Sequence, residues 1–158
     1  MGPTEAGAAA APARIGPGSI AGCMALSAEA GWNQTAEDWS VFFDRGAVYG
    51  MPGEDGAPIA TGAVLPYDGG FGWISMVLVA ADRRRARLGT RILEACLDDH
   101  ARRGIVACLD ATPAGERVYR PLGFLPVFGL TRWQGIGGGG GTGPLPVRAM
   151  AEADLPAI

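Results

Sequence analysis

The sequence contains no lysine, and this absence removes several classes of enzyme from consideration. All 13 basic residues among the 158 are arginines. A P-loop NTPase, a Schiff-base enzyme, a biotin carrier and a Ser–Lys hydrolase each need a lysine side chain at the reacting centre. Histidine is almost as scarce, because His100 is the only one. Zinc sites and catalytic triads that need two histidines are therefore excluded.

Cysteines and long apolar runs are also few. Cys23, Cys96 and Cys108 are an odd number without C-x-x-C spacing, and each lies in an apolar stretch. This pattern predicts buried, reduced thiols rather than a disulfide framework. No run of 18 apolar residues is present, and the first residues lack the basic and apolar regions of a signal peptide. We therefore expect a cytoplasmic protein with no membrane partner.

The overall composition favours a folded domain of modest size. Hydrophobic residues make up 48% and charged residues 18%, and the formal net charge is −3. This charge argues against a nucleic-acid partner. Glycine and proline concentrate near the two ends, which predicts a flexible segment over residues 1–18 and a glycine-rich linker over residues 135–146. The folded domain is then expected over residues 19–134.

Hydrophobic periodicity gives an order of elements inside this domain. Two helices are predicted first, over residues 20–30 and from Thr35 to residue 45, where Thr35 and Asp38 resemble a capping box. Three strands follow as an antiparallel meander, over residues 47–51, 59–65 and 71–79. Strict alternation along the third strand would put its odd-numbered residues on one face of the sheet and its even-numbered residues on the other.

The second half of the domain returns to helical spacing. It predicts a helix over residues 88–103, a strand over 105–109, a helix over 115–122 and a strand over 124–133. The strand–helix–strand over residues 71–109 forms a βαβ unit, so its two strands should be parallel neighbours. The predicted fold is α/β, with a mixed central sheet made of a meander followed by a βαβ unit and flanked by helices.

A cluster of arginines lies between the third strand and the helix that follows it. The segment runs Arg83-Arg84-Arg85-Ala86-Arg87-Leu88-Gly89-Thr90. A helix N-terminus with guanidinium groups and a glycine can bind a phosphate group through its free backbone N–H groups. A solvated basic turn and a nucleic-acid patch are the alternatives that the segment alone leaves open. Its position after a central strand favours the phosphate site.

Two motifs resemble the GNAT N-acetyltransferase superfamily. The segment from Val79 to Leu93 resembles the family's motif of Arg or Gln, two residues, Gly, one residue, then Gly or Ala, with Arg84 first and Gly89 last. Arg87 replaces the usual middle glycine. Tyr119-Arg120-Pro121-Leu122-Gly123-Phe124 resembles the family's Tyr-x-x-Leu-Gly-Phe. The order of predicted elements over residues 19–133 also agrees with this family.

The resemblance implies acetyl-CoA as co-substrate and no metal. Its pyrophosphate would bind the arginine-rich turn, and its extended arm would pair with the backbone of the third strand. The implied cofactor-binding residues are Met76, Val77, Leu78, Val79, Arg84, Arg85, Ala86, Arg87, Leu88, Gly89 and Thr90. Tyr119 is the implied catalytic acid, which protonates the departing thiolate; the alternative for Tyr119 is simple packing.

The base and the acceptor are less defined by the sequence. No carboxylate lies between residues 71 and 81, and Asp110 and Asp68 are the candidates for a base. Trp32, Asn33, Trp39 and Trp73 are candidates for an acceptor pocket, with core packing expected for at least two of the tryptophans. His100 is expected at the surface or its boundary rather than in catalysis.

The resemblance implies an N-acetyltransferase that acts on a small primary amine by direct attack in a ternary complex. The alternative is a non-catalytic acyl-CoA-binding or regulatory module of the same fold, which the missing strand carboxylate and Arg87 favour. A homodimer is compatible with either function. Residues 147–158 resemble the opening of a second, truncated domain of this family, unless they return to pair with the first domain.

Overall fold

The structure is a computed structural model, and it describes residues 10–131 together with 133, 135, 148 and 150–157. Residues 1–9 and almost all of the predicted glycine linker lie outside the described residues. The chain divides into two compact units, Met1–Pro126 and Val127–Ile158. Each unit is described by itself.

Over its described residues, 10–126, the first unit contains four α-helices and a five-stranded sheet. The helices are α1 (Ile20–Glu29), α2 (Ala36–Arg45), α3 (Leu88–Arg103) and α4 (Pro113–Tyr119). The strands are β1 (Ala13–Ile15), β2 (Ala47–Pro52), β3 (Pro58–Tyr67), β4 (Phe71–Val79) and β5 (Val106–Leu109). They lie in the order β1-β2-β3-β4-β5, antiparallel except for the parallel pair β4–β5. The predicted fold class is confirmed.

Two sequence predictions about the ends of the domain are wrong. Residues 13–15 lie in the segment that we expected to be flexible, yet they form β1 and pair with β2. Residues 124–131, predicted as a strand, have no regular secondary structure. Pro126 cannot donate a hydrogen bond to a neighbouring strand, and the apolar side chains Leu125 and Phe128 are exposed. An apolar segment forms a strand only when its backbone pairs with a neighbouring strand, and residues 124–131 do not pair.

The start of α2 agrees with its predicted capping box. The Thr35 hydroxyl oxygen accepts from the Asp38 N–H at 3.3 Å, and the Asp38 Oδ2 accepts from the Thr35 N–H at 2.8 Å. These two bonds satisfy donors that a helix N-terminus otherwise leaves free. They fix the point at which the α1–α2 loop enters the helix.

Two apolar clusters cover opposite faces of the sheet. One face packs against α3, with the buried core of Ala47, Tyr49, Met51, Ala60, Val64, Ile74, Leu88, Ile92, Leu93 and Cys96. The other face packs against α1 and α2, with Cys23, Leu26, Trp39, Val48, Ala63 and Leu78 buried. Trp39 is fully buried, and its indole N–H donates to the Ser27 hydroxyl at 3.1 Å. Trp39 is therefore one of the pocket candidates that pack in the core instead.

His100 is buried, contrary to our expectation of a surface or boundary position. Its side chain is 2% exposed, and its Nδ1 lies 2.9 Å from the Cys96 carbonyl oxygen. An added Cβ at Gly72 would lie 2.8 Å from the His100 Nε2, so the ring packs directly on the backbone of β4. Because the His100 ring packs against the start of β4, it lies away from the arginine-rich turn, which follows the other end of that strand.

A polar cluster lies next to this histidine. Asp99 is 7% exposed and accepts from Arg103 at 2.8 Å and from Tyr49 and Arg102 at 3.2 Å. Burial acts to raise the pKa of Asp99, but the bonds from Arg103, Tyr49 and Arg102 outweigh it and hold the pKa below its usual value. This cluster ties β2 to the end of α3.

The cysteines show two environments. Cys23 and Cys96 are fully buried, as predicted, and burial raises the pKa of their thiols to about 11 and about 12. Cys108 on β5 is half-buried. All three are free thiols, as the odd number and the spacing predict. Among the described residues, no helix is long and apolar enough to cross a membrane.

The described part of the second unit contains the 3-10 helix Glu152–Ala157. Arg148 forms an ion pair with Asp154, whose carboxylate also accepts from the Ala151 N–H at 2.8 Å. The start of a second domain over residues 147–158 stays a prediction.

Candidate functional site

Strand β4 contains a bulge at its centre. The register with β3 slips between Ser75 and Leu78, so that Gly62 alone lies opposite Met76 and Val77. Met76 accommodates the extra residue with a φ of 53°, in the left-handed region. A bulge of this kind bends the strand and increases its local twist.

The bulge reverses the alternation of side chains along β4. Ile74 lies on the α3 face, Met76 packs on the α1–α2 face, and Val77 and Val79 lie on the α3 face again. Strict alternation would place Ile74 and Met76 together, so our expectation for this strand is wrong beyond Ser75. One additional residue is sufficient to move the following side chains to the opposite face, because the side-chain period of a strand is two.

β4 and β5 separate after Ile74, where the bulged part of β4 begins. Their parallel pairing covers only Phe71–Ile74 on β4 and Val106–Leu109 on β5. After Leu109, the last residue of β5, the chain leaves the sheet towards α4. Residues 75–79 consequently have no strand partner on this side among the described residues.

The open edge of β4 presents backbone groups. The Ala80 N–H donates to the Ile59 carbonyl oxygen at 2.9 Å, which directs residue 80 towards β3. Because backbone groups of a strand alternate in direction, Val77 and Val79 direct theirs to the open side. An extended amide chain could pair there as an added strand.

The loop that follows β4 leads to backbone N–H groups at the start of α3 that have no acceptor within the helix. Arg85 and Arg87 both have positive φ, 70° and 59°. The first hydrogen bond of the helix runs from the Arg91 N–H to the Arg87 carbonyl oxygen at 3.1 Å, so the N–H groups of residues 88–90 have no acceptor within the helix. No side chain caps this helix among the described residues, and its first turn has no acidic residue. The start of α2, by contrast, is capped by the side chains of Thr35 and Asp38.

A cavity of about 300 Å³ opens at this loop. It is lined by Val79, Arg83, Arg84, Arg85, Arg87, Leu88, Gly89, Thr90 and Val118. Most of the predicted cofactor residues thus lie around one space. Ala86 is not among the lining residues, and Met76, Val77 and Leu78 lie further along β4, where the strands separate.

Tyr119 comes directly after Val118 in the sequence, but it is not itself among the residues that line this cavity. It is half-buried, and its ring packs against Phe124 with centroids 6.0 Å apart. Burial raises the pKa of the Tyr119 hydroxyl above its usual value, so it holds its proton at neutral pH. The ring also covers Gly115, where an added Cβ would lie 2.9 Å from the Tyr119 Cε2. Its neighbour Val118 is the α4 residue that reaches the cavity.

An open cleft of about 410 Å³ lies on the opposite, α1–α2 face of the sheet. Its lining residues are Asn33, Gln34, Asp38, Val41, Phe42 and Met76. Met76 connects the cleft to the bulge of β4. Of the residues that we predicted for an acceptor pocket, Asn33 lies here, whereas Trp39 is in the core and Trp32 packs against it.

Comparisons with known proteins agree with this geometry. The profile of the acetyltransferase (GNAT) family matches residues 23–124. The chain belongs to the GNAT acetyltransferase family. The comparison with curated proteins gives no match.

Several solved structures share the GNAT fold of this chain. An acetyltransferase from Trypanosoma brucei has a TM-score of 0.64 at 14% identity, covering 78% of this chain and 97% of that one. Glucosamine-6-phosphate N-acetyltransferase from Arabidopsis thaliana has a TM-score of 0.63 at 18% identity, covering 77% and 96%. A GCN5-related N-acetyltransferase from Ralstonia eutropha has a TM-score of 0.57 at 20% identity, covering 78% and 97%. At these identities the likeness concerns the fold.

The GNAT motif explains the backbone of the arginine-rich loop. Arg87 stands where the family motif has glycine, and its φ of 59° is a conformation that glycine adopts without strain. The substitution therefore keeps the glycine backbone and adds a guanidinium group. Arg83, which belongs to the predicted arginine segment, and Val118, which our sequence analysis did not assign, also line the cavity.

The two candidate bases differ in position. Asp68 lies in the turn before β4, at the end of the strand remote from the arginine-rich loop. Asp110 directly follows β5, where Leu109 pairs with Ile74, and is exposed at the start of the strand separation. The topology therefore favours Asp110 over Asp68. Among the described residues, no group of three or more His, Cys, Asp or Glu side chains could hold a metal ion.

Proposed function

We infer that this GNAT protein transfers an acetyl group from acetyl-CoA to a small primary amine. The observation that carries this proposal is the separation of β4 and β5 between two cavities. The arginine-lined cavity lies on the α3 face and the cleft lies on the α1–α2 face, and both reach the same stretch of β4 at Met76 and Val79. Two substrates can therefore approach one reacting centre from opposite sides.

The residues of the arginine-lined cavity fit the phosphates of a CoA ester. The free N–H groups of residues 88–90 and the side chains of Arg84 and Arg87 supply donors for pyrophosphate. The open edge supplies the backbone groups of Val77 and the Val79 N–H for the amide arm, whereas the Val79 carbonyl oxygen accepts from the Arg84 Nε at 3.4 Å. Together they would hold the thioester at the strand separation.

The proposed reaction is direct attack without a covalent enzyme intermediate. The amine nitrogen, deprotonated first, forms a bond to the thioester carbonyl carbon, and the carbon–sulfur bond breaks. Tyr119 would give its hydroxyl proton to the departing thiolate, because burial keeps this hydroxyl protonated. We propose that Asp110 accepts the proton that the ammonium loses, through water. Solvent then restores both groups.

The acceptor that we propose is a small molecule, and no nucleic acid or membrane is part of the proposal. The name of the Arabidopsis neighbour gives a phosphorylated amino sugar as the acceptor of that protein. Among the described residues, those that line the cleft of this chain include no cation to bind such a phosphate. The cytoplasmic location and the homodimer remain expectations from the sequence.

The test of this function is the release of free CoA. Wild-type protein is mixed with acetyl-CoA and a panel of primary amines, and thiol formation is followed against a control without amine. We expect amine-dependent release and acetylated amine in stoichiometric amounts by mass spectrometry. Binding of acetyl-CoA without amine-dependent release for any amine would instead support a non-catalytic acyl-CoA-binding module. That alternative is favoured by the lack of a carboxylate on β4 and by the absence of Tyr119 from the cavity lining.

A further inference from the structure

Thr61 is a buried polar residue on β3, the middle strand of the sheet. It is 0% exposed and lies between Ala60 and Gly62. Its hydroxyl donates to the Met76 carbonyl oxygen on β4 at 3.1 Å. A buried hydroxyl is unfavourable unless it is hydrogen-bonded, whereas valine would fill almost the same volume at no such cost. The bond to Met76 is therefore what distinguishes threonine from an apolar residue at this position.

This bond lies at the bulge of β4. Met76 has a φ of 53°, and a bulge leaves its extra residue without a regular partner in the ladder. A left-handed conformation is unfavourable for residues other than glycine, and it persists where the surrounding structure holds it. The Thr61 hydroxyl provides a donor for the Met76 carbonyl oxygen in this conformation. It therefore stabilises the bulge.

The bulge decides the direction of the Val77 backbone. With the bulge, Thr61 lies opposite Leu78, and the backbone groups of Val77 are directed to the open edge. Before the bulge, Ala63 lies opposite Ser75. Continued without a bulge, this register would place Thr61 opposite Val77, whose backbone groups would then bond to β3. The bulge therefore makes the Val77 N–H and carbonyl oxygen available to an amide chain.

The arginine-rich loop is anchored by other bonds. The Ala80 N–H donates to the Ile59 carbonyl oxygen at 2.9 Å, and the Ala81 N–H donates to the Glu29 carboxylate at 3.0 Å. Both bonds lie between the bulge and the loop in the sequence. A change at the bulge should therefore alter the open edge of β4 and leave the start of α3 in place.

Resting on the function proposed above, we propose that Thr61 is a positioning residue for the amide arm of acetyl-CoA. Its hydroxyl fixes Met76 in the bulge, and the bulge directs the Val77 backbone to the arm. Thr61 itself is fully buried and does not touch the cofactor. Loss of the hydroxyl lowers the fraction of molecules in which Val77 faces the open edge, and the apparent affinity for the arm falls with that fraction.

Two variants and two ligands test this role. Thr61→Val removes the hydroxyl and Thr61→Ser keeps it, whereas ADP has a diphosphate but no pantetheine arm. By calorimetry, we expect Thr61→Val to raise the Kd of acetyl-CoA roughly three- to tenfold, the value of one neutral hydrogen bond, and the Kd of ADP less than about twofold. Thr61→Ser should retain the wild-type ratio of the two Kd values. An unchanged ratio in Thr61→Val, or the same change in Thr61→Ser, would overturn the proposal.

Ser27→Ala is the matched control for a general loss of stability. Ser27 on α1 is also 0% exposed, and its hydroxyl accepts from the Trp39 indole N–H and donates to the Cys23 carbonyl oxygen. Its removal should lower the melting temperature by several degrees, as in Thr61→Val, without changing the ratio of the two Kd values. An equal change of this ratio in both variants would contradict a specific role of Thr61.

Amide hydrogen exchange in the wild-type protein needs no substitution, so it tests the proposal even if Thr61→Val does not fold. The Val77 N–H should exchange faster than the Leu78 N–H, which is directed to β3. Saturating acetyl-CoA, but not ADP, should slow exchange at Val77. Equal exchange at the two amides, or no protection by acetyl-CoA, would refute the role of the bulge.

Turnover separates this proposal from the proposed reaction. The binding measurements contain no amine and do not depend on catalysis. The expected pattern of Kd values in a wild-type protein that releases no CoA with any amine would refute catalysis alone. Amine-dependent release of CoA by the wild-type protein, with an unchanged ratio of Kd values in Thr61→Val, would refute the role of Thr61 alone.

Discussion

Replacement of Arg87 by glycine should change stability and cofactor affinity in opposite directions. Arg87 has a φ of 59° and is exposed at the start of α3. A left-handed conformation costs an ordinary L-residue roughly 1–2 kcal/mol, and glycine avoids this cost. Glycine also lowers the free energy of unfolding by about 0.4–1 kcal/mol, because it has greater conformational freedom in the unfolded chain. The two ranges leave a net gain from Arg87→Gly that is centred on about 0.8 kcal/mol.

The comparison with Arg87→Ala isolates the backbone effect. Both substitutions remove the guanidinium group, but alanine stays strained at this φ. The melting temperature of the glycine variant should exceed that of the alanine variant by about 1–4 °C in a domain of this size. Calorimetric or fluorescence melts without cofactor measure the difference. A lower melting temperature for the glycine variant would refute the strain argument.

Both variants should bind acetyl-CoA more weakly. A charge-assisted contact to phosphate contributes about 1.5–3 kcal/mol, so the Kd should rise roughly 10- to 150-fold. Arg84→Ala, at a residue with an ordinary backbone conformation in the same cavity, should weaken binding without the gain in stability. Wild-type affinity in the Arg87 variants would remove this residue from the phosphate site.

Other predictions address the proposed acid, the bulge, the buried ion cluster and the chain end. Tyr119→Phe should lower kcat about 100-fold or more with little change in acetyl-CoA affinity; unchanged turnover would make the ring a packing residue. Gly62→Ala should destabilise by about 1–3 kcal/mol in urea unfolding, because its Cβ would lie 2.5 Å from an α3 side chain, whereas Gly129→Ala has open space and should have little effect. Because the pKa of Asp99 is lowered in the folded state, its stabilising contribution is present above pH about 4 and is lost as the pH falls through the folded pKa, and Asp99→Asn should flatten that part of a pH–stability curve. Deletion of residues 135–158 should shift the melting temperature by less than about 3 °C, since the sheet and both apolar clusters lie before residue 125; a loss of 10 °C or more would show that this segment stabilises the domain.

The sequence by itself determined most of the elements and their order. Apolar periods of 3.6 and 2 residues gave α3 and β4 at their observed bounds, because these patterns follow directly from the geometry of helices and strands. The Thr35–Asp38 pair predicted the start of α2, since a capping box is a local interaction. The parallel β4–β5 pair followed from the handedness and length of the helical connection.

The features that position the candidate site depended on contacts between distant residues. Strict alternation failed at Met76 because a bulge arises from pairing with a second strand, Gly62 being opposite two residues. The burial of His100 was not predicted, because it depends on the absence of a side chain at Gly72, 28 positions earlier in the chain. A one-dimensional pattern contains no information about such close approach.

Tertiary structure also decided which residues share a cavity. The arginines of one loop were predicted together because they are adjacent in the sequence, but Val118 joins them from α4. The cleft on the α1–α2 face was the least predictable part, because Gln34, Asp38 and Met76 meet only when the α1–α2 loop packs across the bulge of β4. Sequence periodicity defines which face of an element is apolar, whereas the close packing of those faces decides where the polar residues between them meet.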